Sequence, residues 1–159
     1  MEIHNIPPVF DADSKILILG SFPSVKSREQ QFFYGHPQNR FWRVLAAVTC
    51  CKVPLNTEEK RKFLIENKIA VWDVIGQCDI TGSSDSSIKN VVPNDISVIL
   101  NTAQIKQVFT NGAAAHRLYE KYIGRDAVKL PSTSPANAAF SLERLINEWS
   151  VIKPYIFNS

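Results

Sequence analysis

The chain is poor in the features that mark several large protein classes. Among its 159 residues are only three cysteines, Cys50, Cys51 and Cys78. Two of them are adjacent and cannot easily pair with each other. No C-x-x-C occurs, and His4, His36 and His116 are scattered. A disulfide scaffold, a zinc site and a four-thiolate iron–sulfur cluster are all disfavoured, and free thiols suit a reducing compartment. No apolar run approaches the roughly 20 residues of a membrane span. Met1 to Phe10 shows no basic stretch followed by an apolar one, so no signal peptide is expected. The phosphate-cradling G-x-x-x-x-G-K-[ST] and the G-x-S-x-G nucleophile elbow are both missing. Charge of one sign is also scarce: 18 Lys+Arg face 15 Asp+Glu, a net +3. Bulk charge is therefore too small to bind a polyanion, and any such binding needs a local concentration of positive charge.

What remains is an ordinary globular composition, with 45% apolar and 21% charged residues. A single domain over residues 1–159 is expected, burying roughly 70% of the surface of its unfolded chain. Short apolar runs ending in turn residues read as buried strands: Lys15 to Gly20, Ile69 to Ile75, Gln107 to Thr110 and Ala127 to Leu130. Amphipathic spacing predicts helices over Arg40 to Cys51, Thr57 to Lys68, Asn94 to Thr102, the Ala-rich stretch up to Tyr122, and Ser141 to Lys153. An imperfect capping box at Thr57 starts the second of these. Ser21 to Asn39 and Gly76 to Asn90 read as long loops, of the kind that often carries a site. Alternating strands and helices imply an α/β fold, a three-layer αβα with a central, mostly parallel four-stranded sheet. Ligands of such sheets sit beyond the carboxyl ends of the strands. Gly20 to Ser24, Asp73, Asn111-Gly112 and Pro131 to Pro135 are thus expected to converge.

Three stretches could carry chemistry. Gly20-Ser21-Phe22-Pro23-Ser24, with Ser27 following, offers hydroxyls and amides that suit an anion, and equally suits a helix cap. Phe32-Phe33-Tyr34-Gly35-His36-Pro37-Gln38-Asn39-Arg40-Phe41-Trp42 is dense in rings that can stack nucleobases, with an Arg that can meet phosphate. Phe41 and Trp42 also suit the buried face of a helix, and Asn39 its N-cap. Leu130-Pro131-Ser132-Thr133-Ser134-Pro135-Ala136-Asn137 is a stiff loop. Its three hydroxyls can hold a phosphodiester backbone, and the stretch can also be a plain connector.

Together, in this order and spacing, GSFPS, YGHPQNRFW and LPSTSPAN resemble the uracil-DNA glycosylase superfamily, from Leu17 to Asn137. HPxNxFW is the specific signal. Ser21-Phe22 stands where well-known members carry Asp or Asn, and no His occurs in LPSTSP. That combination is similar to the hypoxanthine-DNA glycosylase branch, also called family six. The resemblance implies a DNA-repair hydrolase. It would flip a deaminated base, hypoxanthine or uracil, from DNA and cleave the N-glycosidic bond without metal or cofactor. It implies Asn39 as the catalytic residue, orienting water or bonding the leaving base. Tyr34 is the expected stacking ring, with Phe22 or Phe33 as alternatives, and Asp73 would read the base edge. Ser21, Ser24, Ser27, Ser132, Thr133 and Ser134 would hold the DNA backbone. Ser83, Ser84, Asp85 and Asn111 receive no role.

The partner is then DNA with deaminated bases. A monomer is expected, cytoplasmic and nucleoid-associated when on DNA, with no membrane contact. Lys26, Arg28, Arg40 and Arg43, against Glu29 alone, hold the chain's whole charge excess and place it beside the motif. Other readings are a non-catalytic nucleotide- or damaged-DNA-binding module and, last, a small-molecule hydrolase, which lacks a base–nucleophile pair.

Overall fold

The computed structural model describes residues 2–3 and 6–157, so His4 lies outside the described residues. In chain order the elements begin with strands β1 (Glu2–Ile3) and β2 (Ile16–Gly20), then helices α1 (Val25–Gln30), α2 (Phe41–Thr49) and α3 (Thr57–Glu66). Strands β3 (Ile69–Asp73), β4 (Ile75–Asp79) and β5 (Lys89–Pro93) follow, then helix α4 (Ser97–Leu100). The chain closes with β6 (Gln107–Asn111), α5 (Ala113–Tyr122), β7 (Val128–Leu130), α6 (Leu142–Trp149) and α7 (Lys153–Phe157).

The centre is a four-stranded sheet in the order β3-β2-β6-β7, with every pair parallel. Strand β2 reads Ile-Leu-Ile-Leu because it is covered on both faces. Its side chains alternate: Ile16 and Ile18 join a core with α2, α3 and α6, and Leu17 and Leu19 join a second core with α4 and α5. Helices therefore flank both faces, as the sequence pattern predicts. Pro7-Pro8 leads into Val9, whose amide and carbonyl both bond Val71, covering the β3 edge.

Three expectations need correction. The stretch Gly76 to Asn90, read as a loop, contains most of β4 and the start of β5, in a second sheet in which β4 pairs antiparallel with β1 and β5. Its register is irregular and β5 is mostly exposed, so the alternation that marks a half-buried strand is missing. Helix α3 is capped by Asn56, not Thr57: Asn56 Oδ1 accepts from Glu59 N at 2.8 Å, and Glu59 Oε1 accepts from Leu55 N at 3.2 Å. The closing helix is broken by a 3-10 turn at Ser150–Ile152 before α7. Pro154 supplies no N–H for the carbonyl four residues earlier, so one continuous α-helix is disfavoured there.

Candidate active site

The register of the parallel sheet decides what meets at its carboxyl end. Gly20 pairs with Asp73, and Asn111 with Leu130. The chain then leaves each strand on the same side, and a pocket of about 350 Å³ opens there. Gly20, Ser21 and Phe22 contribute from the end of β2, Asp73 from β3, Asn111 from β6, and Ser132 to Ala136 from the loop after β7. Phe33, Tyr34, His36 and Asn39 close it from the segment before α2, and Ser83 and Asp85 from the segment between β4 and β5. The four strand ends expected to converge do so.

Gly20 is required by crowding. A Cβ there would overlap Asp73 Oδ1 and meet the Tyr34 hydroxyl at 3.0 Å. Asp73 is buried, and its backbone carbonyl accepts from Asn94 Nδ2 at 2.9 Å. Tyr34 adopts φ +52°, a left-handed conformation rare for an aromatic residue. It is held there from behind. Phe41 stacks on its ring with centroids 3.8 Å apart, and the Trp42 indole N–H donates to its carbonyl at 3.2 Å. The Tyr34 hydroxyl is buried and makes no hydrogen bond among the described residues. Burial, then the charge of Asp73, push this phenol far above its ordinary value, against the influence of the Asn111 side chain. It stays protonated and is a donor. Phe22 is also buried, with the Arg28 guanidinium 5.3 Å from its ring centroid.

Asn39 does two things at once. Its Oδ1 accepts from Phe41 N at 2.9 Å, an Asx-type turn just ahead of α2 whose N-cap is Arg40 and not Asn39, and from Thr133 Oγ1 at 2.8 Å. Asn111 brackets Thr133: its Nδ2 donates to Thr133 Oγ1 at 3.0 Å, and its Oδ1 accepts from Thr133 N at 3.1 Å. Arg40 N donates to Thr133 O at 3.0 Å, so the HPQNRF segment and the LPSTSP loop are stitched together.

The hydroxyls expected to face DNA divide. Thr133 is wholly buried and spends its hydroxyl on Asn39. Ser24 caps α1 by accepting from Ser27 N, and buried Ser27 accepts from Gly35 N at 2.9 Å. These three build the walls. Among the described residues Ser132 accepts from Ser134 N and Ser134 from Ala136 N, and neither hydroxyl donates, so each keeps a proton to give. Ser21 donates to Asp85 Oδ1 at 2.7 Å.

That last bond identifies a site residue to which the sequence assigns no role. The first motif carries no acid of its own, yet Asp85, 64 residues away, places a carboxylate on its Ser21. Partial burial raises the Asp85 pKa, against the Ser21 bond and the Arg117 charge, while Asp73 adds to the rise. Two more bonds hold the segment in place: Val25 N donates to Ser83 Oγ at 3.0 Å, and Arg28 Nη2 to Gly82 O at 2.6 Å. Only the polar, Ser-rich composition of 81–87 could have signalled this.

The local charge excess is partly spent inside the chain. Arg40 donates to the carbonyls of Ser134 at 2.9 Å and Asn137 at 3.1 Å, and to that of Phe140. Arg28 pairs with Glu2 at 3.1 Å, and Lys26 with Glu29 at 3.8 Å. Arg43 is exposed. Arg40 is thus a clamp on the LPSTSP loop. Arg40→Gln is expected to cost about 1.5–3 kcal/mol, the worth of a hydrogen bond to a charged group, read as a denaturant midpoint. The slope of log K for DNA against log salt should stay unchanged. A slope smaller by about 0.9 would put Arg40 on a phosphate instead.

An α/β sheet with this pocket at its carboxyl edge, lined by residues of HPQNRFW and LPSTSP bonded to one another, fits the base-excising glycosylase class that the sequence resembles. The chain belongs to the uracil DNA glycosylase superfamily, whose family model matches residues 7–153. It is 36% identical over 151 residues to a hypoxanthine DNA glycosylase of Methanosarcina acetivorans, covering 92% of this chain and 94% of the relative. It is 34% identical over 142 residues to a hypoxanthine DNA glycosylase of Methanosarcina barkeri, covering 86% and 89%. The solution NMR structure of a uracil-DNA-glycosylase candidate from M. acetivorans superposes with a TM-score of 0.80 at 33% identity, covering 96% of this chain and 97% of that one. The protein is a DNA N-glycosylase, and the expectation of a non-catalytic binding module finds no support.

Among the described residues no helix is long and apolar enough to cross a membrane.

Proposed function

We propose that this enzyme removes hypoxanthine from DNA, with Asn39 acting at the glycosidic bond and the strand-end pocket receiving the flipped base. The observation that carries the reading is the juxtaposition in one pocket of Asn39, Tyr34 and Asp73, drawn from segments distant in sequence. Similarity to two hypoxanthine DNA glycosylases over most of the chain supports the choice of base.

The chemistry follows from the groups present. Extrusion of a nucleotide costs a few kcal/mol, and stacking on a ring returns ~1–3 kcal/mol. Phe41 occupies one face of Tyr34, so a base has the opposite face available, with Phe22 as the other ring at the pocket. Hypoxanthine and uracil are lactams with a ring N–H beside a carbonyl. Asp73 would accept from that N–H, and the Tyr34 hydroxyl would donate to the carbonyl. Ser132 and Ser134 retain protons for phosphate oxygens, and Ser21 carries Asp85 at the pocket wall. Asn39 is neutral and cannot remove a proton strongly, so it either orients the attacking water or hydrogen-bonds the departing base.

A panel of duplexes, each with one deoxyinosine, deoxyuridine or deoxyxanthosine, tests the reading by alkali cleavage at abasic sites. Deoxyinosine strands are expected to be cut fastest. Faster release of uracil would overturn the assignment of the base, and no release from any duplex would overturn the activity.

A further inference from the structure

We propose that Thr133 and Asn111 are positioning residues that fix the sense of the Asn39 amide, so that it presents N–H donors, and no acceptor, to the pocket. This rests on the role given to Asn39 above. The chain of bonds has one consistent direction. A backbone N–H can only donate, and Thr133 N donates to Asn111 Oδ1 at 3.1 Å. The other branch of the Asn111 amide is then nitrogen, and it donates to Thr133 Oγ1 at 3.0 Å. With that donation arriving, the single hydroxyl proton of Thr133 is directed to Asn39 Oδ1 at 2.8 Å. Phe41 N–H supplies a second bond to the same oxygen at 2.9 Å.

Both lone pairs of Asn39 Oδ1 are therefore occupied by protein donors. Its Nδ2 makes no hydrogen bond among the described residues, and Asn39 lines the pocket. Thr133 is wholly buried, so water does not compete for its hydroxyl. Turning the amide over would oppose its NH2 to a backbone N–H and to a hydroxyl already committed as donor.

The consequence separates the two roles left open for Asn39. An oxygen with both lone pairs filled cannot accept a proton from the attacking water. The N–H groups can meet the departing base. As the C1′–N bond breaks, its electron pair leaves with the base, and Asn39 donates a hydrogen bond to that charge while keeping its own protons. Water adds to C1′ and loses its proton to solvent, and the base gains one from solvent. Thr133 and Asn111 touch no reacting atom and act only through Asn39.

The test uses the full chain under single-turnover conditions on a deoxyinosine duplex. Thr133→Val removes the hydroxyl at nearly constant shape, and Thr133→Ser keeps it. Loss of one well-placed donor costs up to about 10²–10³ in rate, so Thr133→Val, which only loosens it, should lose roughly 10–100-fold. Thr133→Ser should stay near the wild-type rate. Affinity for a duplex with non-cleavable 2′-fluoro-deoxyinosine should be unchanged in both. In an Asn39→Ala background, Thr133→Val should add no further loss, as expected of residues acting as a unit. An unchanged rate for Thr133→Val, or a full multiplicative loss in the double variant, overturns the proposal. If Thr133→Val does not fold, Asn111→Asp carries the same expectation, since it keeps the acceptor for Thr133 N and removes the donor. Should the wild-type protein release no base, the functional reading fails and the relay is read separately. The Asn39 side-chain NH2 resonances of the free protein should show faster amide rotation in Thr133→Val, and unchanged rotation overturns it.

Discussion

Replacing Asn39 by Ala should lower single-turnover release of hypoxanthine by ~10²–10³-fold, the usual consequence of removing one donor aimed at developing charge. The same side chain also turns the chain into α2 by accepting from Phe41 N, and loss of such a hydrogen bond costs about 1 kcal/mol of stability. The two effects separate with Asn39→Asp. A carboxylate keeps an acceptor for Phe41 N and Thr133 Oγ1 but offers no donor. Its melting temperature should remain near that of the wild type while its rate falls as far as that of the Ala variant. A rate within threefold of wild type for either variant, at full occupancy of the duplex, would remove Asn39 from the chemistry.

The second large effect is on stability. Phe41 is fully buried, with its ring stacked on Tyr34 and edge-on to Trp42 at 4.9 Å and to Trp149 at 5.9 Å. Phe41→Ala should cost about 3–5 kcal/mol, the transfer of the ring plus the cavity left behind. For a chain of this size, that is roughly 6–20 °C in melting temperature. Phe41→Leu refills part of the space and should lose less. The loss has a functional side. Tyr34 holds a left-handed backbone only while its surroundings enforce it, and Phe41 is the face it rests on. Even where Phe41→Ala remains folded, it should weaken binding to the 2′-fluoro-deoxyinosine duplex. A midpoint shift below about 1 kcal/mol would mean that the aromatic cluster is not a rigid wall, because well-packed cores do not collapse that freely.

Much of this was legible before the fold was known, and the reason differs from element to element. Ile16 to Gly20 is apolar without alternation because both its faces are covered, and that pattern sufficed to read it as a buried strand. Arg40 to Cys51 shows its buried stripe directly, and α2 follows it to within a residue or two. The second sheet escaped notice because β5 is exposed and β4 pairs with it irregularly, so neither bears a periodic signal. At the site, Asn39, Tyr34, Asp73, Ser132 and Ser134 all reach the pocket. Thr133 reaches it with its hydroxyl turned inward, and Arg40 stays behind the wall, because a guanidinium can satisfy three carbonyls as readily as a phosphate. Asp85 could be singled out in the sequence but given no role, since nothing local ties it to Ser21.

The sequence by itself determined the layer order and the family, and it singled out Asn39 for the role proposed above. Each rests on short-range information: the period of apolar residues along a segment, and a motif whose members lie within a dozen positions. Tertiary structure alone decided which polar groups are spent and which are free. The +3 excess of Lys26 to Arg43 looked like a DNA-binding face, yet Arg40 and Arg28 bond within the chain. Thr133 looked like one more hydroxyl of a Ser-rich loop, yet it fills an oxygen of Asn39. A donor or acceptor acquires its role from the partner that remains to it, and those partners lie 94 residues apart for Asn39 and Thr133 and 64 for Ser21 and Asp85. No local pattern encodes such distances; the register of a parallel sheet does.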